Sequence, residues 1–379
     1  MKQQAYPAAS AVAPTVHEHF ASHLKRGRLR GETGLATLPD ASTIAEMIDA
    51  AFWASLRREE TFVTKISLAF LTPDETPHPI VLDEALPLDP AALARIGPAV
   101  ERPGIHLGVG PTPTGLAVWG IVRAVPKYCC VVEVAEPGLI VVKHHRGEES
   151  AKYANVAVLH GDQVKIIDEE ASSLPDCPEL LTSLLGFDSP ASWAGSVNVL
   201  VQLAVSMRAH RRGGLLLVVP AGTSVWRESV IQPIRYEVSQ TFSELAVVNR
   251  TLAANMPMPP WQETVGPAVD GLAGLTAIDG AVLMSSDYEL LAFGAKIARR
   301  KGAPQVMQLT ITEPIEGGMA AMTTPAELGG TRHLAAAQFV HDQRDALALV
   351  ASQDGRFTVV AWSPCENMVH AHRVETLLL

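Results

Sequence analysis

Gly329-Gly330-Thr331-Arg332-His333 stands directly before Leu334-Ala335-Ala336-Ala337-Gln338-Phe339, a run with the composition of a helix. That order of residue types suits an anion. A helix start presents unsatisfied backbone N–H groups and the positive end of the helix dipole. Glycine lets the backbone approach a ligand, threonine adds a hydroxyl donor, and arginine adds a planar charged fork. Two other polar segments accompany this one: Asp279-Gly280-Ala281, entering an apolar run, and Ser352-Gln353-Asp354-Gly355, leaving one. Together they offer an acid, an anion-binding helix start and a second polar loop, each at the end of an element, where α/β folds place their ligands. Structural roles compete for the same residues. Asp279 suits a turn, Thr331 an N-cap, His333 a satisfied core position, and Arg356 a solvated one. Arg332 is the exception, with no obvious structural partner in the local sequence.

The elements that must carry these segments begin near residue 192. Residues 197–207 have helical length and periodicity and end in Arg208-Ala209-His210-Arg211-Arg212, cations that complement the negative helix end. Gly213-Gly214 stops that helix. Residues 215–220, Leu-Leu-Leu-Val-Val-Pro, read as a strand buried on both faces. Further strands are expected at 281–285, 290–295, 346–351 and 357–362, with helices at 230–245 and 334–340. This mixture implies an α/β domain, a mixed β-sheet flanked by helices, over 191–379.

The first half has a different pattern. Residues 1–40 are Ala/Pro-rich, then His-rich, then basic, the composition of a flexible tail. His17, His19 and His23 could share a helix face and bind a metal, but with no acidic or thiol partner at a defined spacing a solvated face explains them better. Thr43 with Glu46 reads as a capping box, followed by apolar residues at helical spacing from Ile44 to Leu56. Strands are expected at 61–70, 116–122, 128–134, 139–143, 156–159 and 164–167. Glu136-Pro137-Gly138 and His160-Gly161-Asp162 supply turns. Residues 41–170 therefore read as a smaller, β-rich α+β domain dominated by antiparallel sheet. The acidic, Pro-containing stretch 171–190 reads as a linker. His106, His144, His145, Trp119 and the loop 111–115 have no specific spacing, and packing explains them best.

Bulk properties limit the rest. The chain has 379 residues, 47% of them hydrophobic and 18% charged, with a net charge of −10. That suits a globular protein of two domains and argues against duplex nucleic acid as a partner. The four cysteines form no CxxC pair, which points to packing rather than zinc. Cys129 and Cys130, adjacent on a strand, would face opposite sides of it. No apolar run is long enough for a bilayer, and a signal-peptide core is lacking at the start. The sequence reading is a cytoplasmic protein without a membrane partner.

In order and context, the helix–Gly-Gly–strand unit at 197–219, Asp279-Gly280-Ala281, Gly330-Thr331-Arg332-His333 and the strand at 345–352 resemble the diadenylate cyclase (DAC) domain. The resemblance runs from about residue 192 to the C-terminus. It implies two domains meeting face to face, hence a homo-oligomer, each holding ATP and together making cyclic di-AMP with release of pyrophosphate. It also implies that Asp279 serves the attacking hydroxyl and the metal, Mg²⁺ or Mn²⁺, with Asp354 as a second metal carboxylate. The segment Gly330, Thr331, Arg332 and His333 would hold phosphates. Gly280, Ala281, Ser352 and Asp354 complete the implied nucleotide site.

The sequence departs from the cyclase pattern at three places. The pattern Arg-His-Arg is Arg332-His333-Leu334 here. A charge-assisted phosphate contact, worth roughly 1.5–3 kcal/mol, is thereby lost. Ser-Glu-Glu becomes Ser352-Gln353-Asp354, and the Leu-His before the acid becomes Ala277-Ile278. These departures are similar to those of sensor offshoots of the superfamily, of which the DACNV probable sensor domain is one. Three readings result. The first is a module binding an adenine nucleotide or a cyclic (di)nucleotide, with weak or no catalysis. The second is an active diadenylate cyclase using a divalent metal. The third is a degenerate domain kept for dimerisation.

Overall fold

The computed structural model describes residues 5–59, 62–63, 65–113, 115–145, 153–169, 199–242, 245–247 and 266–379. The expected linker at 171–190 lies outside them. The chain divides into two compact units, unit 1 over residues 1–167 with the terminal Leu379, and unit 2 over 168–378.

Unit 1 opens with two helices, α1 (Pro7–Leu29) and α2 (Ala41–Ser55). The stretch expected as a flexible tail is thus mostly α1. Pro7 sits in its first turn, where its missing N–H costs nothing. Val12, Val16, Phe20 and Leu24 recur at helical spacing and are fully buried. α2 starts two residues before Thr43. Asp40, not Thr43, caps it, accepting the Thr43 N–H at 2.7 Å.

Strands β1 (Arg58–Glu59) and β2 (Phe62–Val63) form a small antiparallel pair. An eight-stranded sheet follows, built from β3 (Ser67–Phe70), β4 (Ile80–Pro87), β5 (His106–Thr112) and β6 (Gly115–Val122), with helix α3 (Pro90–Ile96) between β4 and β5. It continues with β7 (Cys130–Glu136), β8 (Leu139–His145), β9 (Tyr153–His160) and β10 (Gln163–Ile166). The order is β10-β9-β8-β7-β3-β5-β6-β4, antiparallel except for the β3–β5 pair. Ile44, Met47 and Ile48 of α2 join Val16 and Phe20 of α1 over Leu68, Val132, Ile140 and Val156 of the sheet. Cys130 belongs to this core, while Cys129 lies in a second cluster with Leu71, Trp119 and Val131. The two thiols face opposite sides, as alternation requires. Cys365, expected to pack, is instead exposed.

Unit 2 contains α4 (Val199–Ala209), β11 (Gly214–Val219), β12 (Tyr236–Phe242) and α5 (Gly266–Leu275). Next come β13 (Ala281–Ser285), β14 (Leu290–Ala295), β15 (Leu309–Thr312) and β16 (Ala321–Thr323). Helices α6 (Pro325–Leu328) and α7 (Thr331–Asp342) precede β17 (Leu347–Ala351), β18 (Phe357–Ser363) and β19 (Met368–Arg373). The nine-stranded sheet runs β12-β14-β13-β11-β17-β18-β19-β15-β16. It is mixed: β11 lies parallel to β13 and antiparallel to β17. This is the α/β class expected. Every residue of β11 is buried. Ala336, Phe339 and Val340 of α7 cover Leu215, Leu217, Ala348 and Val350. One expected helix, at 230–245, is partly strand β12. Pro233 withdraws a backbone donor there, and Tyr-Glu-Val-Ser alternates after it, a strand period.

Candidate functional site

The sheet register of unit 2 brings the candidate segments to one end of the sheet. β11 and β13 are parallel and both begin there, at Gly214 and Ala281. β14 is antiparallel to β13 and ends there, with Ala281 opposite Ala295. β17 ends there too, with Ala351 opposite Gly214, and the turn 352–356 leads into β18. The guanidinium of Arg332, from the first turn of α7, also reaches this end. An atom added at Gly213 in place of hydrogen would lie 2.9 Å from Arg332 Nη1. Gly213 also has φ +71°, a backbone conformation that favours glycine.

Asp279 and Arg332 share this end and interact. The Asp279 carboxyl is held below the usual carboxylate range, first by the Lys296 ammonium, which donates to it at 2.6 Å, and then by Arg332. Asp279 is exposed, with 92% of its side chain open to solvent. Among the described residues, no hydrogen bond or ion pair holds the Arg332 guanidinium. Gly330 is the N-cap of α7, and no side chain caps that helix. A Cβ at Gly330 would meet nothing within 4 Å. Glycine here leaves the first amides of α7 uncovered, the arrangement that receives anions.

The remaining expected residues divide. Gly280 (φ +122°) crosses Gly294 so closely that a Cβ would lie 2.4 Å from the Gly294 carbonyl carbon, which makes it a packing glycine. Ala281 is buried in the core and offers only backbone. Ser352 accepts the Gly355 N–H and donates its own N–H to Arg356 in a tight turn. Asp354 sits in that turn and pairs with Arg356 at 3.3 Å. Thr331 is exposed on the wall of a cleft of about 580 Å³, together with Ile297, Arg299, Leu334 and Gln338.

His333 points inward. It is 4% exposed, with Nε2 at 3.4 Å from Thr358 Oγ1, and burial pushes its pKa down. Its ring fills the space beside Gly329, where a Cβ would come 2.3 Å from Nδ1. We expect Gly329→Ala to destabilise unit 2 by about 1–3 kcal/mol through overpacking. An unchanged thermal melt would contradict this placement of the ring.

Two neighbours lie outside the motifs. Lys296 is adjacent to Asp279 only through the β13–β14 register. His210 donates from Nε2 to Thr276 Oγ1 at 3.0 Å and accepts the Arg212 N–H on Nδ1 at 3.1 Å. Burial, then the cations Arg212 and Arg332, hold its pKa down. Arg208 donates to the Gly355 carbonyl at 3.1 Å, tying α4 to the 352–356 turn. Locally, therefore, this end of an acidic chain collects several cations.

In unit 1, Trp119, His106, His144 and His145 are buried, as packing requires, whereas the described residues of the loop 111–115 are exposed or half-buried. Trp119 donates to the Leu71 carbonyl at 2.7 Å and lies over Gly108. The two ring nitrogens of His106 are each 2.7 Å from a hydroxyl, Ser67 Oγ and Tyr153 OH. His19 and His23 do not form a solvated face: His23 is 2% exposed and His19 half-buried.

Comparison with known proteins adds one family. The family model of the DACNV probable sensor domain matches residues 33–123. The match lies within unit 1, from before α2 to the end of β6, and not in the half that carries the cyclase-like motifs. No curated protein matches the chain. Among solved structures, a hypothetical membrane spanning protein from Bacillus cereus is similar at 15% identity, over 51% of this chain and 68% of that one, with a TM-score of 0.28. A likeness at that score carries no structural argument. Among the described residues, no helix is long and apolar enough to cross a membrane.

Proposed function

We propose that unit 2 binds the phosphate-bearing part of an adenine nucleotide or a cyclic (di)nucleotide at this sheet end, and that the chain is a sensor rather than an efficient cyclase. One observation carries the reading. The Arg332 guanidinium stands beside the uncapped start of α7 and within electrostatic reach of Asp279, with no ion-pair partner among the described residues. An arginine in that state has charge to offer a phosphate, and the helix amides supply donors. Lys296 adds a second cation, and Asp279 suits a ribose hydroxyl. The sensor family matched at residues 33–123 supports a sensing role for the whole chain.

Binding is favoured over catalysis by Leu334. In the cyclase pattern this position is a second arginine. Here it is a leucine, 40% exposed on the cleft wall beside Thr331. Position 334 therefore offers no guanidinium to a triphosphate undergoing in-line displacement, and Arg299 is the cation on that cleft wall. Asp279 and Asp354 are each engaged by a cation, Lys296 and Arg356. With Mg²⁺ or Mn²⁺ these carboxylates would first have to leave those partners.

Thermal unfolding with ATP, ADP, cyclic di-AMP and adenosine tests the reading. Saturating ligand at a hundredfold excess over Kd stabilises by about 2.7 kcal/mol. We expect a raised melting temperature with at least one phosphate-bearing compound and none with adenosine. If no nucleotide shifts the melt, the site is wrong and the dimerisation-scaffold reading stands. Incubation with ATP and Mn²⁺, followed by chromatography, tests the cyclase reading, and appreciable cyclic di-AMP would put catalysis ahead of sensing.

A further inference from the structure

We infer that unit 1 holds a transition-metal site of the zinc class, formed by His19, His23 and His144. It is independent of the nucleotide site and lies outside residues 33–123. His19 and His23 are four residues apart on α1 and so share one face of that helix. His144 comes from β8. One ring nitrogen from each of the three falls within 4.8 Å of the others. Tetrahedral zinc–imidazole bonds of 2.0–2.1 Å put ligand nitrogens about 3.4 Å apart, so modest rotamer changes close the set.

Ring stacking alone would explain the centroid distances of 4.4 Å (His19–His23), 5.2 Å (His23–His144) and 5.8 Å (His19–His144). Coordination accounts as well for one nitrogen of each ring lying within 4.8 Å of the other two. The hydrogen bonds favour coordination. His144 Nδ1 lies 3.3 Å from the His145 carbonyl and can only donate to it, which leaves the Nε2 lone pair for the cluster. His23 Nε2 accepts from Arg26 Nη2 at 3.0 Å, so it too carries a lone pair, the form a metal needs. On binding, the metal takes that lone pair. The Arg26 guanidinium would then turn to a hydroxide or chloride in the fourth position, and that anion would offset part of the site's positive charge. His23 and His144 are buried, whereas His19 is half-buried and marks the side of entry. Three neutral imidazoles select Zn²⁺, Co²⁺, Ni²⁺ or Cu²⁺ over Mg²⁺ and Ca²⁺.

The test uses the full chain, stripped with chelator and titrated with Zn²⁺ by calorimetry, with Co²⁺ as a visible-absorption probe. We expect one ion per chain, a cobalt spectrum of a low-coordinate nitrogen site, and a melting temperature raised by zinc. His19→Ala, the half-buried position, and His144→Phe, which keeps a ring, should each weaken binding at least ~10-fold, a loss seen even when only a supporting partner of a ligand is removed. His17→Ala should bind as wild type, because the His17 ring is turned to the Pro39 carbonyl at 2.8 Å. If His144→Phe does not fold, His19→Ala decides alone. Absence of saturable one-to-one uptake, or wild-type affinity in His19→Ala, overturns the site.

Discussion

Replacing Arg332 by alanine should weaken nucleotide binding by about 10- to 100-fold while leaving the fold intact. The magnitude is that of one hydrogen-bonded contact to a charged group, roughly 1.5–3 kcal/mol. The fold should survive because, among the described residues, the guanidinium anchors no other side chain. It rests instead over the backbone of Gly213. The substitution also removes a cation from the field of Asp279, so its carboxyl should titrate slightly higher. Arg332→Lys separates charge from geometry: a lysine keeps the charge but loses the planar fork, and should recover only part of the affinity. Calorimetric titration with the nucleotide that shifts the melt measures all three. Equal affinity in wild type and Arg332→Ala would mean that no phosphate cradle forms at this helix start.

That arginine is legible in the sequence because the signal is local. Gly-Gly-Thr-Arg-His followed by an alanine-rich run specifies a helix start within eleven residues. Asp279 is equally legible as an acid at a strand entry. Their adjacency is not readable from spacing, since 53 positions separate 279 and 332, and it follows only from strand register. Lys296 and Gly213 escape a sequence reading for the same reason. Lys296 meets Asp279 because Ala281 pairs with Ala295 across an antiparallel ladder. Gly213 reads as a helix stop, and its second role, making room for a guanidinium, depends on a helix more than a hundred residues later.

The fold shows the same division. β13 and β14 run from Ala281 to Ser285 and from Leu290 to Ala295, where their apolar runs put them. α1 is hidden because proline, histidine and basic residues dominate its composition, whereas its apolar stripe is thin. β19, Met-Val-His-Ala-His-Arg, is hidden because His370 and His372 make an edge-like pattern out of a strand with buried positions. The family match on residues 33–123 falls on the half with no chemical motif.

Buried neutral histidines give the second large expected effect, a loss of stability in acid. His106 in unit 1 and His372 in unit 2 are 1% and 2% exposed. Burial, with Lys143 and His145 for the first and His370 for the second, lowers each from the ordinary 6.5 to about 4. Both are held as neutral rings by hydroxyls. Ser67 and Tyr153 flank His106, and Thr312 lies 2.7 Å from His372 Nδ1. The sign follows from proton binding. Between pH 4 and 6.5 the unfolded chain binds a proton at each position and the folded chain does not, so stability rises with pH. The contribution is complete above pH 6.5 and is lost as pH falls towards 4. At pH 5 each histidine should already cost about 2 kcal/mol relative to neutral pH, and near pH 4 about 3 kcal/mol. His210 and His333, also shifted down, act in the same direction. Urea unfolding at pH 7.5, 6, 5 and 4.5 measures the slope. His106→Gln should flatten the slope of unit 1 by one proton, and His372→Gln that of unit 2. A stability that stays level from pH 7.5 to 5, or a slope indifferent to both substitutions, would mean that these rings are protonated in the native protein.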